Sequence, residues 1–262
     1  MQITLHEVEG RTLRVGVRPG DKAQPALLLF NGIGANIELF EPFLNALRRP
    51  EAIIFDVPGV GGSPAPWWPY RPSLLAQLTA RLLDQLGHEQ VDVLGFSWGG
   101  ALAQQFAYQH AKRCRRLVLA ATSPGHLMVP GKLTSLLKLA TPRRYKDPDY
   151  MRRVAGDIYG GELRNRPELA GKYLHHVRWS SDYGYYLQVI AGLGWTSLPW
   201  LRFIEQPTLV LAGTDDPIVP VANGRILANL IPGARLVTLD DGHVFLITNA
   251  KQSAKFVSEF LS

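Results

Sequence analysis

Val91-Asp92-Val93-Leu94-Gly95-Phe96-Ser97-Trp98-Gly99-Gly100 is the stretch from which the rest of the chain can be read. An apolar run of strand character ends in G-x-S-x-G, and a segment with helical spacing opens at Trp98 and continues to about His110. A serine at the apex of such a turn must take a strained backbone conformation. Side-chain-free glycines two positions to either side let strand and helix approach closely. Ser97 is therefore the candidate nucleophile.

Outward from this turn, short apolar runs alternate with longer helical patterns. Ile3 to Glu9 and Arg11 to Val17 read as a hairpin about Glu9-Gly10, followed by a buried-type strand from Ala26 to Phe30. A helix is expected over Asn36 to Leu47, a strand over Ala52 to Phe55, and an amphipathic helix carrying Leu74, Leu75, Leu78, Leu82, Leu83 and Leu86. Beyond the central turn, Arg116 to Ala121 is a strand. The alternation lapses between Ser123 and Gln206, then resumes as strand (Pro207 to Gly213), helix (Val221 to Leu230), strand (Ala234 to Leu239) and helix (Asn249 to Leu261). Continuous apolar strands joined by helices imply parallel strands with right-handed crossovers and helices on both faces. The fold class is α/β, with residues 1–122 and 207–262 as core and 123–206 as a cap, or lid, inserted over the strand C-terminal ends, where open α/β sheets bind ligands.

Composition narrows the function classes. With 46% hydrophobic and 19% charged residues, the 262-residue chain has the apolar content to bury a core, which excludes whole-chain disorder. The longest apolar runs, about five residues, fall far short of the ~20 needed to span a bilayer. The N-terminal residues show no basic segment followed by an apolar one, so a cytoplasmic chain is expected. The single cysteine, Cys114, agrees with a reducing compartment and reads as a packing residue. The net charge of +6 is concentrated in residues 123–206, which hold 12 Lys/Arg against 7 Asp/Glu. These cations are scattered as pairs such as Arg143-Arg144 and Arg152-Arg153, outside any recognisable nucleic-acid module, so no nucleic-acid partner is expected.

A serine hydroxyl is a weak nucleophile until an imidazole takes its proton, and the imidazole needs a carboxylate to fix its tautomer. On an elbow of this kind the partners follow in the order Ser, Asp or Glu, His. His243, in Leu239-Asp240-Asp241-Gly242-His243, follows the last strand and faces the same end of the sheet as Ser97. It is the candidate base, whereas His6, His88, His110, His126 and the pair His175-His176 read as surface or packing residues. The candidate acid is Asp216 in Gly213-Thr214-Asp215-Asp216-Pro217, immediately before a rigid proline. Asp215 stays open as its substitute, while Asp241 and Asp56 read as structural. Two amides complete the set as an oxyanion hole: Trp98 N–H at a helix start, and Ile33 N–H in the flexible loop Asn31-Gly32-Ile33-Gly34.

Other chemistries lack their residues. A carboxylate nucleophile would have to stand at position 97, which is serine. Adjacent His175 and His176 would point to different sides of a helix or strand, so no metal site is expected. No phosphate-binding G-x-x-x-x-G-K-S occurs, and Gly59-Val60-Gly61-Gly62 opens no helix of the dinucleotide-binding kind; no cofactor is implied.

With these residues in view, the chain resembles the α/β-hydrolase superfamily. It is similar through nearly its whole length to the intracellular medium-chain-length poly(3-hydroxyalkanoate) depolymerases. The resemblance rests on Asn31-Gly32-Ile33-Gly34-Ala35-Asn36, Ser97 to Ala107, Met128-Val129-Pro130-Gly131-Lys132, Ala191 to Ser197 and Asp241 to Thr248. It implies a mostly parallel sheet of about eight strands flanked by helices, with a helical cap. It also implies hydrolysis of stored aliphatic polyester through an acyl-serine intermediate, releasing 3-hydroxy acids or oligomers. Seven of nine tyrosines and three of six tryptophans fall in residues 123–206, suiting a surface that meets an apolar, ester-bearing polymer. Leu127, Met128, Trp179 and Trp195 are expected to line an acyl channel above Ser97, and the basic excess to meet an anionic storage-granule surface. Two further readings stay open: a carboxylesterase or thioesterase for small medium-chain acyl substrates, and a non-catalytic granule- or ligand-binding relative.

Overall fold

The computed structural model describes residues 1–47, 50–174 and 179–262. Strands β1 (Gln2–Val8) and β2 (Arg11–Arg18) form a hairpin whose turn, Glu9-Gly10, has both residues at positive φ, as the twist of a two-residue loop demands. The apolar runs become β3 (Leu27–Phe30), β4 (Ala52–Phe55), β5 (Val91–Phe96), β6 (Cys114–Ala120), β7 (Thr208–Gly213) and β8 (Arg235–Leu239). One eight-stranded sheet results, in the order β1-β2-β4-β3-β5-β6-β7-β8. The pairings of β1 with β2 and of β2 with β4 are antiparallel, and all the others are parallel.

The helices of the two halves are α1 (Glu41–Ala46), α2 (Pro72–Gln85) and α3 (Trp98–Gln109) before the insertion. Between β6 and β7 come α4 (Leu133–Leu139), α5 (Arg143–Lys146), α6 (Pro148–Tyr159), α7 (Gly161–Asn165), α8 (Leu169–Leu174) and α9 (Asp182–Gly192). The chain then closes with α10 (Val221–Leu230), α11 (Phe245–Thr248) and α12 (Ala250–Leu261). The expected helix over Asn36 to Leu47 is instead a 3-10 turn, Ile37–Phe40, followed by α1. Pro42 stands in the first turn of α1; lacking an N–H, it starts a helix far better than it continues one.

Alternation along the strands divides the core in two. Leu27 and Leu29 face one side of the sheet with Phe43, Leu44 and Val257, while Leu28 and Phe30 face the other with Leu78, Leu82 and Phe106. Among the described residues, the segment between β6 and β7 shows no core separate from these two clusters. Met151, Val154 and Ile158 of α6 pack into the first cluster, and Leu187 and Ala191 of α9 into the second. Its helices are therefore tied into the same packing that holds the sheet.

Strand order places the functional end. From β3 the chain crosses to β4 on one side and later returns to β5 on the other, so the loops after β3 and β5 diverge at a switch point, where open α/β sheets form a crevice. Phe30 pairs with Gly95, which sets Asn31-Gly32-Ile33 directly beside Phe96-Ser97. The neighbouring wall is braced by Asp56, whose side chain is buried. One of its oxygens accepts from Ile37 N–H at 2.8 Å, and the other from Gly62 N–H and Arg14 Nη1, both at 2.9 Å. Removing that carboxylate leaves two amides without their acceptor and Arg14 with Glu38 as its remaining ion-pair partner. Asp56→Ala is expected to lower unfolding free energy by about 3 kcal/mol, read as a fall in the urea midpoint at unchanged slope. A loss within experimental scatter would show that this brace is dispensable.

Candidate active site

Ser97 has φ 54° and ψ −120°, a combination that side-chain-bearing residues rarely adopt. Its surroundings enforce it. A Cβ at Gly99 would lie 2.3 Å from the Phe30 carbonyl oxygen, and one at Gly95 2.5 Å from the Gly99 oxygen, so only glycine permits this meeting of β5, β3 and α3. Ser97 N–H donates to the Ala120 carbonyl at 2.9 Å, and Thr122 Oγ1 donates to the Ser97 carbonyl at 2.7 Å. The turn is thus clamped to β6, with the side chain left at the crest of the sheet.

Asp216 and His243 arrive on the loops after β7 and β8. Asp216 Oδ1 accepts the amides of Ile218 and Val219 at 2.8 and 2.9 Å, an arrangement that folds the chain around Pro217 and fixes the carboxylate. Its Oδ2 lies 2.7 Å from His243 Nδ1, and His243 Nε2 lies 2.9 Å from Ser97 Oγ. A carboxylate at Nδ1 makes that nitrogen the donor, which leaves Nε2 to accept the serine proton. Both His243 and Asp216 are buried, where the interaction is weakly screened. The imidazole is held on every side: its backbone N–H donates to the Tyr159 carbonyl at 2.6 Å, its ring stacks on Tyr159 at 16° between planes, and Phe96 flanks it with ring centroids 5.4 Å apart.

The competing carboxylates have other partners. Asp215 accepts Gly161 N–H at 2.7 Å and pairs with Arg164. Desolvation pushes its carboxyl up, but those two donors outweigh it and leave it lowered. Asp241 accepts Gly242 N–H at 2.7 Å, Glu162 N–H at 2.9 Å and Thr248 Oγ1 at 2.6 Å, framing the histidine loop. His6 contacts Thr4, His88 pairs with Glu51 at 2.8 Å, His110 packs on Phe106 and His126 is exposed. His175 and His176 lie outside the described residues. Among the described residues no group of three or more His, Cys, Asp and Glu side chains is placed to hold a metal ion, and no helix is long and apolar enough to cross a membrane.

Both residues of the amide pair expected to receive an oxyanion lie next to Ser97, one by sequence and one across the cavity. Trp98 is the first residue of α3, so its N–H has no carbonyl one turn earlier. Ile33 lines the same cavity as Ser97 and His243. One residue of α9 ties the two elements together: Gln188 accepts Gly34 N–H through Oε1 at 2.7 Å and Trp98 Nε1–H through its carbonyl at 3.0 Å. Tyr145 of α5 adds a third tie, its hydroxyl donating to the Ile33 carbonyl at 2.7 Å. Sequence reasoning singled out none of Gln188, Tyr145 and Tyr159. For Gln188 a signal existed, a lone amide inside the apolar helical run Tyr185 to Ala191.

Ser97 borders two cavities. The first, about 80 Å³, lies among Ile33, Leu139, Arg144, Tyr145, Tyr159 and His243. The second, about 270 Å³, is walled by Trp98, Met128, Trp195 and Val219. Two of the four expected channel residues, Met128 and Trp195, therefore line a space open to Ser97. Trp179 stands one ring back from the first cavity, stacked on Tyr145 with centroids 5.8 Å apart, and Leu127 is 61% exposed and lines neither.

Residues 25–250 match the family described as alpha/beta hydrolase fold. A poly(3-hydroxyalkanoate) depolymerase of Ectopseudomonas oleovorans is 55% identical over 97% of this chain and 90% of its own length. Among solved structures, the enol-lactonase from Burkholderia xenovorans LB400 superposes with a TM-score of 0.83 at 26% identity, covering 98% of this chain and 99% of that one. A hydrolase from Pseudomonas aeruginosa PA01 gives 0.82 at 27% identity, over 99% and 98%. Fold, strand order and these likenesses agree: the chain belongs to the α/β-hydrolase family.

Proposed function

We propose that this protein is a serine hydrolase that cleaves the ester bonds of medium-chain-length poly(3-hydroxyalkanoate) through an acyl-serine intermediate. The observation that carries the chemistry is the hydrogen-bonded chain from Asp216 through His243 to Ser97, at 2.7 and 2.9 Å. The substrate class rests on the 55% identical depolymerase. His243 takes the Ser97 proton as Oγ attacks the ester carbonyl, Asp216 stabilises the imidazolium, and the amides of Ile33 and Trp98 receive the oxyanion. His243 then returns the proton to the leaving alcohol. Water, activated by the same imidazole, splits the acyl-serine and releases a 3-hydroxy acid or oligomer.

Two cavities meeting at one serine suit a substrate that extends on both sides of its scissile bond. Residues 123–206 act as the cap: they supply walls to both cavities and, through Gln188 and Tyr145, fix the oxyanion loop. The small volume of the first cavity, about 80 Å³, favours a second reading, a carboxylesterase or thioesterase for small acyl substrates using the same three residues. Acid release from medium-chain polymer, short-chain polymer and p-nitrophenyl esters, compared in one assay, separates the two. The protein works in the cytoplasm at the granule surface, a placement supported by the basic excess of residues 123–206 and by Trp67 and Trp68, 91% and 80% exposed, beside Tyr183.

Ser97→Ala is expected to fold normally, to lose fluorophosphonate labelling and to lose turnover by several orders of magnitude; substantial activity in clean protein would remove the mechanism. Gln188→Ala should lower kcat about 10- to 100-fold while labelling at Ser97 persists, measured by labelling rate and initial velocity together. Binding to isolated granules is expected to weaken as salt rises. Salt-independent binding would take the charge contribution away and leave contact to the aromatic side chains.

A further inference from the structure

The first cavity holds a charge that the proposed mechanism does not use. Arg144, on α5, is 3% exposed and borders the space that also contains Ser97 and His243. Among the described residues it has no carboxylate partner. Its Nη1 donates to the Leu139 and Thr141 carbonyls at 3.4 Å each and to Tyr185 Oη at 3.0 Å, and Nη2 donates to Tyr145 Oη at 3.3 Å. The guanidinium lies over the Tyr145 ring at 4.3 Å. Its Nε–H is buried and has no acceptor. Burial pushes the phenols of Tyr159 and Tyr185 up, so near neutrality they lend dipoles, not counter-charge. A buried cation with one ordinary hydrogen bond, to Tyr185, three longer ones and one unspent donor is costly unless an anion completes it. A planar guanidinium matches a carboxylate in geometry as well as in sign.

We propose that Arg144 anchors a carboxylate subsite, which takes the free acid end of the substrate's terminal hydroxyacyl unit. The inference rests on the ester-hydrolase reading and adds the direction in which the chain is bound. His243, which must protonate the leaving oxygen, lines the first cavity and not the second. The leaving alcohol therefore belongs beside Arg144. In a polyester of 3-hydroxy acids, the alcohol freed from the last ester carries a carboxylate at its other end. That unit occupies the small cavity, with its carboxylate on Arg144 and its oxygen toward His243 Nε2. The acyl portion, with the remaining chain, lies in the larger cavity against Met128 and Trp195. Cleavage breaks the acyl C–O bond, forms the Ser97 ester and releases one 3-hydroxy acid carrying the proton from His243. Water then regenerates the serine and leaves a polymer one unit shorter, with a new carboxylate end.

The test compares 3-hydroxyoctanoate with the neutral 3-hydroxyoctanamide as competitive inhibitors of p-nitrophenyl octanoate hydrolysis. In the wild-type protein the acid is expected to bind about tenfold more tightly or better, the scale of a charge-assisted hydrogen bond. Arg144→Gln should bring the ratio near one, and Arg144→Lys should restore part of it. A purely structural arginine would change thermal stability and leave the ratio intact. Equal inhibition constants in the wild-type protein overturn the subsite whether or not the variants fold, as does an undiminished ratio in Arg144→Gln. A dimer of 3-hydroxyoctanoate with a free acid end should likewise show a higher kcat/KM than its methyl ester, through a lower KM. Equal kcat/KM values for the two dimers would overturn the end-reading with ester hydrolysis intact. If neither dimer is cleaved while the inhibition ratio holds, the polyester reading falls and the carboxylate subsite stands.

Discussion

The site depends on one forced backbone conformation. Ser97 holds a left-handed φ because β5, β3 and α3 converge too closely for any side chain at Gly95 or Gly99. That convergence does three things at once. It lifts the proposed nucleophile above the sheet, puts the Trp98 amide at the head of a helix, and, through the pairing of Phe30 with Gly95, brings the Ile33 loop alongside. The strain is local and small against the burial of the flanking strands, whose residues are inaccessible on both faces. A soft turn would leave the hydroxyl free to sample other rotamers. A clamped one delivers it within hydrogen-bond reach of His243 before substrate arrives.

The helical segment between β6 and β7 helps set the geometry of the candidate site. The Tyr159 carbonyl holds the amide of His243, and the Tyr159 ring supports the imidazole. Gln188 and Tyr145 hold the loop that carries Ile33. Because the helices of this segment pack into the two sheet cores, moving them as a rigid lid would disturb both clusters. Access to Ser97 therefore depends on the rims of the two cavities more than on wholesale opening.

What could be read from the sequence was whatever local chemistry dictates. Alternating apolar runs gave the strands within a residue or two, and the elbow sequence identified Ser97, because a sharp strand-to-helix turn leaves glycines at fixed offsets. Chain order and loop position then pointed to His243 and Asp216, and the structure brings all three side chains into contact. The choice of Asp216 over Asp215 was less legible. It depends on which carboxylate Arg164 and Gly161 engage, two residues far off in the chain. Gln188 and Tyr145 hold the Ile33 loop across more than a hundred residues, Arg144 meets Ser97 and His243 in one cavity from 47 and 99 residues away, and no periodicity encodes that. Leu127 shows the converse: an apolar residue next to a genuine wall residue, Met128, turned outward by the loop that carries them both.

The proposed mechanism and the proposed Arg144 subsite use two kinds of electrostatics, and they act on different quantities. In the proposed mechanism the amides of Ile33 and Trp98 receive the scissile carbonyl oxygen, where charge appears only as Ser97 attacks. Their contribution belongs to the transition state and raises kcat. The Arg144 charge meets a carboxylate that is fully formed before, during and after attack. It binds ground state and transition state alike, so it lowers KM and selects the chain end without accelerating the chemical step. It also favours the released 3-hydroxy acid, which carries the same carboxylate, and so opposes product departure from the smaller cavity. A buried cation whose contacts to Leu139, Thr141 and Tyr145 are long, at 3.3 to 3.4 Å, suits that constraint. Its burial makes the attraction strong enough to select an anion, and its partial satisfaction by Tyr145 and Tyr185 keeps the empty site from having to hold one.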